Sequence, residues 1–169
     1  MTTLSAENVF KKGLACLVDD RPKEASEHFR RALELERQRS KARCDMRYLS
    51  YYGLSLAKAG LSKQIALQAC RSAVSKQCAD PVLLLNLGRV YMLTGRTIQA
   101  LETFERGLDI NPEHKILRRE LDRIDRRRPP VIPFLDRSHP VNIWLGRLRA
   151  SRKKSAPRVG CAEFSSTPH

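Results

Sequence analysis

Five cysteines (Cys16, Cys44, Cys70, Cys78 and Cys161) and four histidines (His28, His114, His139 and His169) are the residues of this chain that could hold a metal or close disulfides. A structural zinc site needs thiolates or imidazoles in close pairs, typically two to four residues apart. No Cys-x-x-Cys occurs, and no histidine stands at ligand spacing from a cysteine. The odd number of cysteines argues against a disulfide framework and suits a reducing compartment. Cys16 and Cys70 fall at apolar positions of helical patterns, where a free thiol acts as a small hydrophobe. Catalytic chemistry has no better support. There is no glycine-rich phosphate loop and no nucleophile beside a base in a recognisable context. The Asp19-Asp20 pair lies in a turn, where carboxylates are solvated or cap helices. The expectation is a chain with no catalytic residues, no cofactor and no metal.

Charge points to partners of a broad kind. The net charge is +14 over 169 residues, and it is uneven. Residues 115–169 hold 14 basic and 5 acidic side chains, a balance of +9, against +5 for residues 1–114. A basic C-terminal region favours nucleic acid, anionic lipid or an acidic protein. For nucleic acid the tail lacks interleaved aromatics apart from Trp144, and no base-reading motif is visible. Met1-Thr2-Thr3-Leu4-Ser5 has neither a basic n-region nor an apolar h-region, so no secretory signal is expected. No apolar run approaches the ~20 residues of a membrane span. A cytoplasmic location is therefore expected.

The elements that would position any site are helices. Residues 6–125 read as nearly continuous helix with short turns, and no stretch alternates like strands. Aromatic residues make up only 6% of the chain, low for a sandwich or barrel. The helices repeat. Residues 81–112 contain Leu84-x-x-Leu87-Gly88-x-x-Tyr91, then Ala100-x-x-x-Phe104, then Pro112. Upstream, Leu49-x-x-Tyr52-Gly53-x-x-Leu56 precedes Ala66-x-x-x-Cys70 and Ala73, and Val9, Gly13 and Cys16 precede Ala25-x-x-x-Phe29 and Ala32. Small residues at Gly13, Gly53 and Gly88 allow a second helix to approach closely, and Ala25, Ala66 and Ala100 do the same from the other side. Phe29 and Phe104 are expected to fill the space between neighbouring hairpins. Gly60 and Gly95 suit left-handed helix ends. Asp80-Pro81 and Asn111-Pro112 stop one helix and open the next. The polar run Gln38-Arg39-Ser40-Lys41-Ala42 reads as a longer loop.

This pattern resembles the tetratricopeptide repeat, a two-helix unit of about 34 residues. The resemblance implies an all-α, right-handed superhelical solenoid of antiparallel helix pairs. Three repeats are expected at about 6–39, 46–80 and 81–114, with a capping helix at 113–127, the whole spanning 6–128. Ile116, Leu117, Leu121 and Ile124 share one side of that cap. Cys16 and Cys70 depart from the repeat's usual large apolar residues.

Arrays of this family hold peptides on a concave face lined by their first helices. The resemblance therefore implies a non-enzymatic adaptor or scaffold binding a protein or peptide. Its concave face would present Phe10, Leu14, Leu17, Leu54, Val82, Leu85, Asn86, Arg89 and Met92, with Glu7, Val18, Arg47, Ser50, Ala57, Lys58 and Leu93 alongside. Most of these are apolar, and an exposed apolar surface of that size marks a contact site. One subset of the family binds acidic chaperone C-termini through a carboxylate clamp of Lys, Asn and Arg. The equivalent positions here, Phe10, Leu14, Tyr51, Val82 and Asn86, carry none of the required residues.

Downstream, Pro129-Pro130 end the capping helix. Val131, Ile132, Phe134 and Leu135 follow in a short apolar segment held extended by prolines. It has the form of a peptide ligand and could fold back onto the array, or cover the face of a second copy. Within residues 129–150 a short basic amphipathic helix is expected, with Val141, Trp144, Leu145 and Leu148 on one stripe. It suits packing against the cap, a partner helix or an anionic surface. Residues 151–169 are basic, then rich in Ser, Thr and Pro, a disorder-type composition.

Overall fold

Proline and short polar side chains set the helix starts. In the computed structural model, which describes residues 5–39 and 45–127, Asp45, Ser62 and Asp80 each accept a hydrogen bond from a backbone N–H of the first turn that follows. Pro22 and Pro81 occupy first helical positions, where the missing N–H would have had no partner. The helices are α1 (Ala6–Val18), α2 (Pro22–Arg39), α3 (Met46–Lys58), α4 (Lys63–Lys76), α5 (Pro81–Leu93), α6 (Thr97–Ile110) and α7 (Lys115–Arg127). The described residues contain no strand. Two hairpin turns close through glycine in the left-handed region, Gly60 at φ 68° and Gly95 at φ 79°. The first turn uses Asp20 at φ 54° in the same role.

The helices pair as α1 with α2, α3 with α4 and α5 with α6. Each pair packs on the next, and α3 lies against α5. The result is a right-handed superhelical solenoid of antiparallel pairs. Helix α7 packs on α6. It buries Leu117 and Ile124, while Arg118, Arg119, Asp122 and Arg123 are exposed. That outer face is mostly charged, with Ile116 exposed beside the charges.

Close approach within each pair depends on a side chain set over a glycine. A Cβ on Gly13 would meet Phe29 Cε1 at 2.6 Å, and one on Gly88 would crowd the Phe104 ring. Phe29 and Phe104 thus seat on the glycine of their own hairpin, where spacing alone suggested the gap between hairpins. Phe29 also reaches the next hairpin through Tyr51, with ring centroids 5.7 Å apart. In the middle pair Cys70 replaces the aromatic ring. A Cβ on Gly53 would stand 2.7 Å from both Cys70 Sγ and the Ala66 carbonyl oxygen.

Three differences from the sequence reading concern boundaries and cysteines. Helix α2 continues through Arg39, so Gln38 and Arg39 are helical; residues 34–39 are mostly good helix formers, and Arg30 pairs with Glu34 one turn on. Residues 40–42 of the expected loop lie outside the described residues. The last helix begins at Lys115, where His114 Nδ1 accepts from the Leu117 N–H at 3.2 Å. Cys16 and Cys70 are free and buried, whereas Cys78 is disulfide-bonded. Among the described residues no helix is long and apolar enough to cross a membrane. The apolar segment with Val131, Ile132, Phe134 and Leu135, the helix carrying Trp144, and the tail 151–169 also lie outside the described residues.

Candidate functional site

The expected concave-face residues lie on the first helices of the three pairs, α1, α3 and α5, and they are not equally open. Phe10 is a core residue. Its ring centroid lies 5.4 Å from Phe29, 4.7 Å from Tyr48 and 5.4 Å from Tyr51, so the aromatic cluster joining the first two hairpins consumes it. Leu54, Leu85 and Asn86 are buried, with Asn86 at 0% exposure. Leu14, Leu17, Val82, Arg89 and Met92 are half-buried. Val18, at the end of α1, is 86% exposed, and Leu93 at the end of α5 is also exposed. The broad open apolar face inferred from composition is therefore narrower than the residue list suggested.

Two arginines among these positions are paired within the chain. Arg47 lies against the Asp45 carboxylate with Nη2 2.6 Å from Oδ2, and Arg89 Nε donates to Glu120 Oε1 of α7 at 2.8 Å. Burial opposes ionisation of Asp45. The side-chain and backbone hydrogen bonds from Arg47 outweigh it and hold the carboxyl below its ordinary range. Tyr48 donates its hydroxyl to Glu7 Oε2 at 2.9 Å. Burial, with that carboxylate second, pushes the Tyr48 hydroxyl well above its usual pKa. Burial likewise raises Tyr51, opposed by Arg89, Arg47 and the nearby Asn86 amide. That amide lies close enough to favour tyrosinate but forms no hydrogen bond with the hydroxyl.

Among the described residues, the buried side-chain polar atoms that lack a hydrogen-bond partner are Ser50 Oγ, Asn86 Nδ2 and Asn86 Oδ1. All three belong to residues expected on the concave face, Ser50 on α3 and Asn86 on α5. With Met46 and Pro81 opening α3 and α5, Ser50 occupies the same register as Leu85, and Tyr51 the same register as Asn86. Leaving a buried polar group unpaired costs about 1–3 kcal/mol. An amide with both ends unpaired is therefore a place where a donor and an acceptor from elsewhere would be favoured. The polar character of Asn86 is legible in the sequence; its isolation is a property of packing. The arrangement offers hydrogen bonding and apolar contact. The described residues hold no group of three or more His, Cys, Asp or Glu side chains placed to bind a metal.

The tetratricopeptide repeat model matches residues 82–114. No curated protein matches in sequence. Among solved structures, the fold is similar to YrrB, a TPR protein with an unusual peptide-binding site, at a TM-score of 0.56 and 21% identity, over 72% of this chain and 59% of that one. It is similar to the same degree, TM-score 0.56 and 21% identity over 72% of this chain, to the UNC-45 chaperone, described for its binding and folding of muscle myosin. The match takes in 13% of the UNC-45 chain. The chain thus spans less than two thirds of the length of either. At this identity the likeness establishes the fold.

Proposed function

A chain built as a stack of tetratricopeptide repeats is, we propose, a non-enzymatic interaction module that holds an extended, uncharged apolar peptide on its concave face. The observation that carries this reading is the unpartnered buried amide of Asn86 on the same helix as the half-buried Val82 and Met92. An extended peptide presents one N–H and one C=O per residue. A primary amide can answer both at once. Val82, one turn before Asn86, and Met92, nearer the end of α5, would supply apolar contact. Charge supports the same ligand: Arg47 and Arg89, in the body of α3 and α5, are matched by Asp45 and Glu120, and the exposed Lys58 stands apart at the end of α3. The peptide-binding site of YrrB, a neighbour in fold, makes peptide capture by this architecture a natural reading.

Selection from a displayed peptide library on the full-length chain tests it. Apolar, proline-tolerant sequences should be enriched. Val82→Glu and Met92→Glu should each reduce their affinity at least tenfold while circular dichroism stays unchanged. Peptides that bind both variants as tightly as wild type would place the site elsewhere. Leu85 is a poor position for this test, because a charge at 4% exposure would unfold the array before it reported on binding.

A further inference from the structure

We propose that the hairpin-turn edge of the second and third repeats is a second docking surface, which takes an acidic amphipathic helix of a protein partner. This surface is separate from the concave face and does not depend on the peptide reading.

Contacts between the first helices define the edge. Glu7 and Phe10, second and fifth in α1, meet Tyr48 and Tyr51, third and sixth in α3. The two helices therefore run the same way in close register. Tyr51 in turn lies beside Asn86, sixth in α5. Each of these helices has 13 residues, so Val18, Lys58 and Leu93 end them at one edge of the stack. The turns that follow are alike. The N–H groups of Arg21, Leu61 and Arg96 donate to the carbonyls of Cys16, Leu56 and Tyr91 at 2.8, 3.1 and 2.8 Å. Helices α2, α4 and α6 begin at the same edge.

Exposed apolar side chains gather there. Leu61, Ile65, Leu93 and Ile98 are between 46% and 63% exposed. All four belong to the second and third turns or to the helix ends that flank them. Local structure does not ask for them. Leu61 stands where the other two turns carry Arg21 and Arg96. Isoleucine is a weaker helix former than the long polar residues, yet Ile65 and Ile98 occupy the first turns of α4 and α6. Apolar residues scattered singly over a surface are ordinary, whereas grouped ones mark contact.

Charge specifies the occupant. Residues 46–101 hold seven basic side chains and one acidic, Asp80, which caps the opposite end of α5. Lys58, Lys63 and Arg96 belong to the turn edge, are exposed, and form no ion pair among the described residues. A helix dipole favours acidic side chains in the first turn. Helices α4 and α6 have none there, and Lys63 and Arg96 add positive charge instead. The first hairpin differs. Its turn carries Asp19 and Asp20, α2 opens with Glu24, and Arg21 pairs with both Asp19 and Glu24. The cationic surface is therefore confined to the second and third turns. A helix with an apolar stripe flanked by carboxylates complements both of its features.

Two observations favour a protein helix over an anionic bilayer. The four apolar side chains lie partly against the array and so present shallow relief. Residues 57–65 and 92–99 include no aromatic residue, whereas Trp and Phe are typical anchors at a membrane surface. Spacing suits a helix as well. Packed helices such as α3 and α5 stand about 8–10 Å apart. Residues seven apart on one helix are separated by about 10.5 Å, so a single helix can set apolar side chains on both turns.

The test uses the full-length chain and a fluorescently labelled synthetic helix of about 18 residues, with leucines at i, i+3, i+4 and i+7 flanked by glutamates. Anisotropy should report saturable binding to wild type that weakens as salt rises. Ile65→Glu together with Ile98→Glu should weaken it at least tenfold. Lys63→Glu together with Arg96→Glu should do the same and flatten the salt dependence. All four positions are exposed, and circular dichroism should show both substituted chains folded. Val82→Glu, on the concave face, should leave the affinity unchanged, and the same helix with lysine in place of glutamate should not bind. An acidic helix that fails to bind wild type, or that binds both substituted chains as tightly, overturns the proposal. Loss of binding with Val82→Glu, but with neither edge pair, overturns it in favour of the concave face. Phosphatidylserine-containing vesicles that bind wild type but not the Ile65→Glu, Ile98→Glu chain, with no binding of the acidic helix, overturn it in favour of a lipid surface. The library selections with Val82→Glu and Met92→Glu judge the concave-face reading separately.

Discussion

The ring of Phe104 rests against Gly88 so closely that a Cβ on the glycine would stand 2.6 Å from Phe104 Cδ1. Both residues are buried, one on each helix of the third hairpin. The contact sets how near α5 and α6 can come. Gly88→Ala should therefore lower stability by about 1–3 kcal/mol, although alanine is the better helix former by about 1 kcal/mol. Chemical denaturation measures the loss. Adding Phe104→Leu should recover part of it, since the clash is with a ring. If the two substitutions simply add, the glycine is not there for this contact.

Asp20 gives a prediction of opposite sign. It holds φ 54° in the first hairpin turn, where Gly60 and Gly95 hold φ 68° and 79°. A left-handed conformation costs a residue with a Cβ roughly 1–2 kcal/mol. Asp tolerates it better than most, and glycine raises the entropy of the unfolded chain. Asp20→Gly should then stabilise by up to about 1 kcal/mol. Gly95→Ala should destabilise by about 1 kcal/mol despite the open space around it. Thermal unfolding of the two single variants reads both signs.

Hairpins, turns and the closing helix were legible because each rests on a local signal: a glycine opposite an aromatic, a proline after an aspartate, an apolar stripe at helical spacing. The candidate site was legible only as a row of positions. Sequence placed Phe10 and Leu85 on the concave side but could not show that Phe10 is consumed by Phe29, Tyr48 and Tyr51. Nor could it show that Arg89 is committed to Glu120, 31 residues away on another helix. Those are tertiary pairings, set by how the helices stack. Cys78 shows the same limit, because counting cysteines says nothing about which of them meet.

Alkaline pH should weaken the fold through Cys70. Its thiol is fully buried, and burial pushes its pKa from 9.0 up to about 12, against smaller opposing effects of the Ser50 side chain and the Leu54 backbone. The folded value lies above the unfolded one. The stabilisation is therefore complete below about pH 9 and is lost as pH rises towards 12. Across that window the slope from one such group is about 1.4 kcal/mol per pH unit. Tyr48 and Tyr51, also raised by burial, steepen the decline at higher pH. Urea midpoints for wild type and Cys70→Ala at pH 8 and pH 10 should show the wild type losing about 1.4 kcal/mol more than the variant. Equal losses would mean that the thiol is not shielded.

Cys70 also separates packing in this chain from the habits of its repeat. The pattern of the other two hairpins invites Cys70→Phe, since Phe29 and Phe104 occupy the matching positions. The space does not permit it. On Gly13 and Gly88 a Cβ would meet aromatic side-chain atoms first, whereas on Gly53 it would meet the Ala66 backbone oxygen at 2.7 Å as well as Cys70 Sγ. Backbone cannot swing aside as a side chain can, so α3 and α4 are already as close as the glycine allows. A phenyl ring at position 70 would have to push the two helices apart, and it would displace the sulfur that donates to the Ser50 carbonyl. Overpacking of this kind costs typically 1–3 kcal/mol, and more where backbone must move. Cys70→Phe is thus expected to destabilise by at least about 2 kcal/mol, whereas Cys70→Ser keeps the volume and should cost less. Guanidinium denaturation of the two variants ranks them. A Cys70→Phe chain as stable as wild type would show that the middle hairpin has the same spacing as its neighbours, and that Cys70 is there for some reason other than fit.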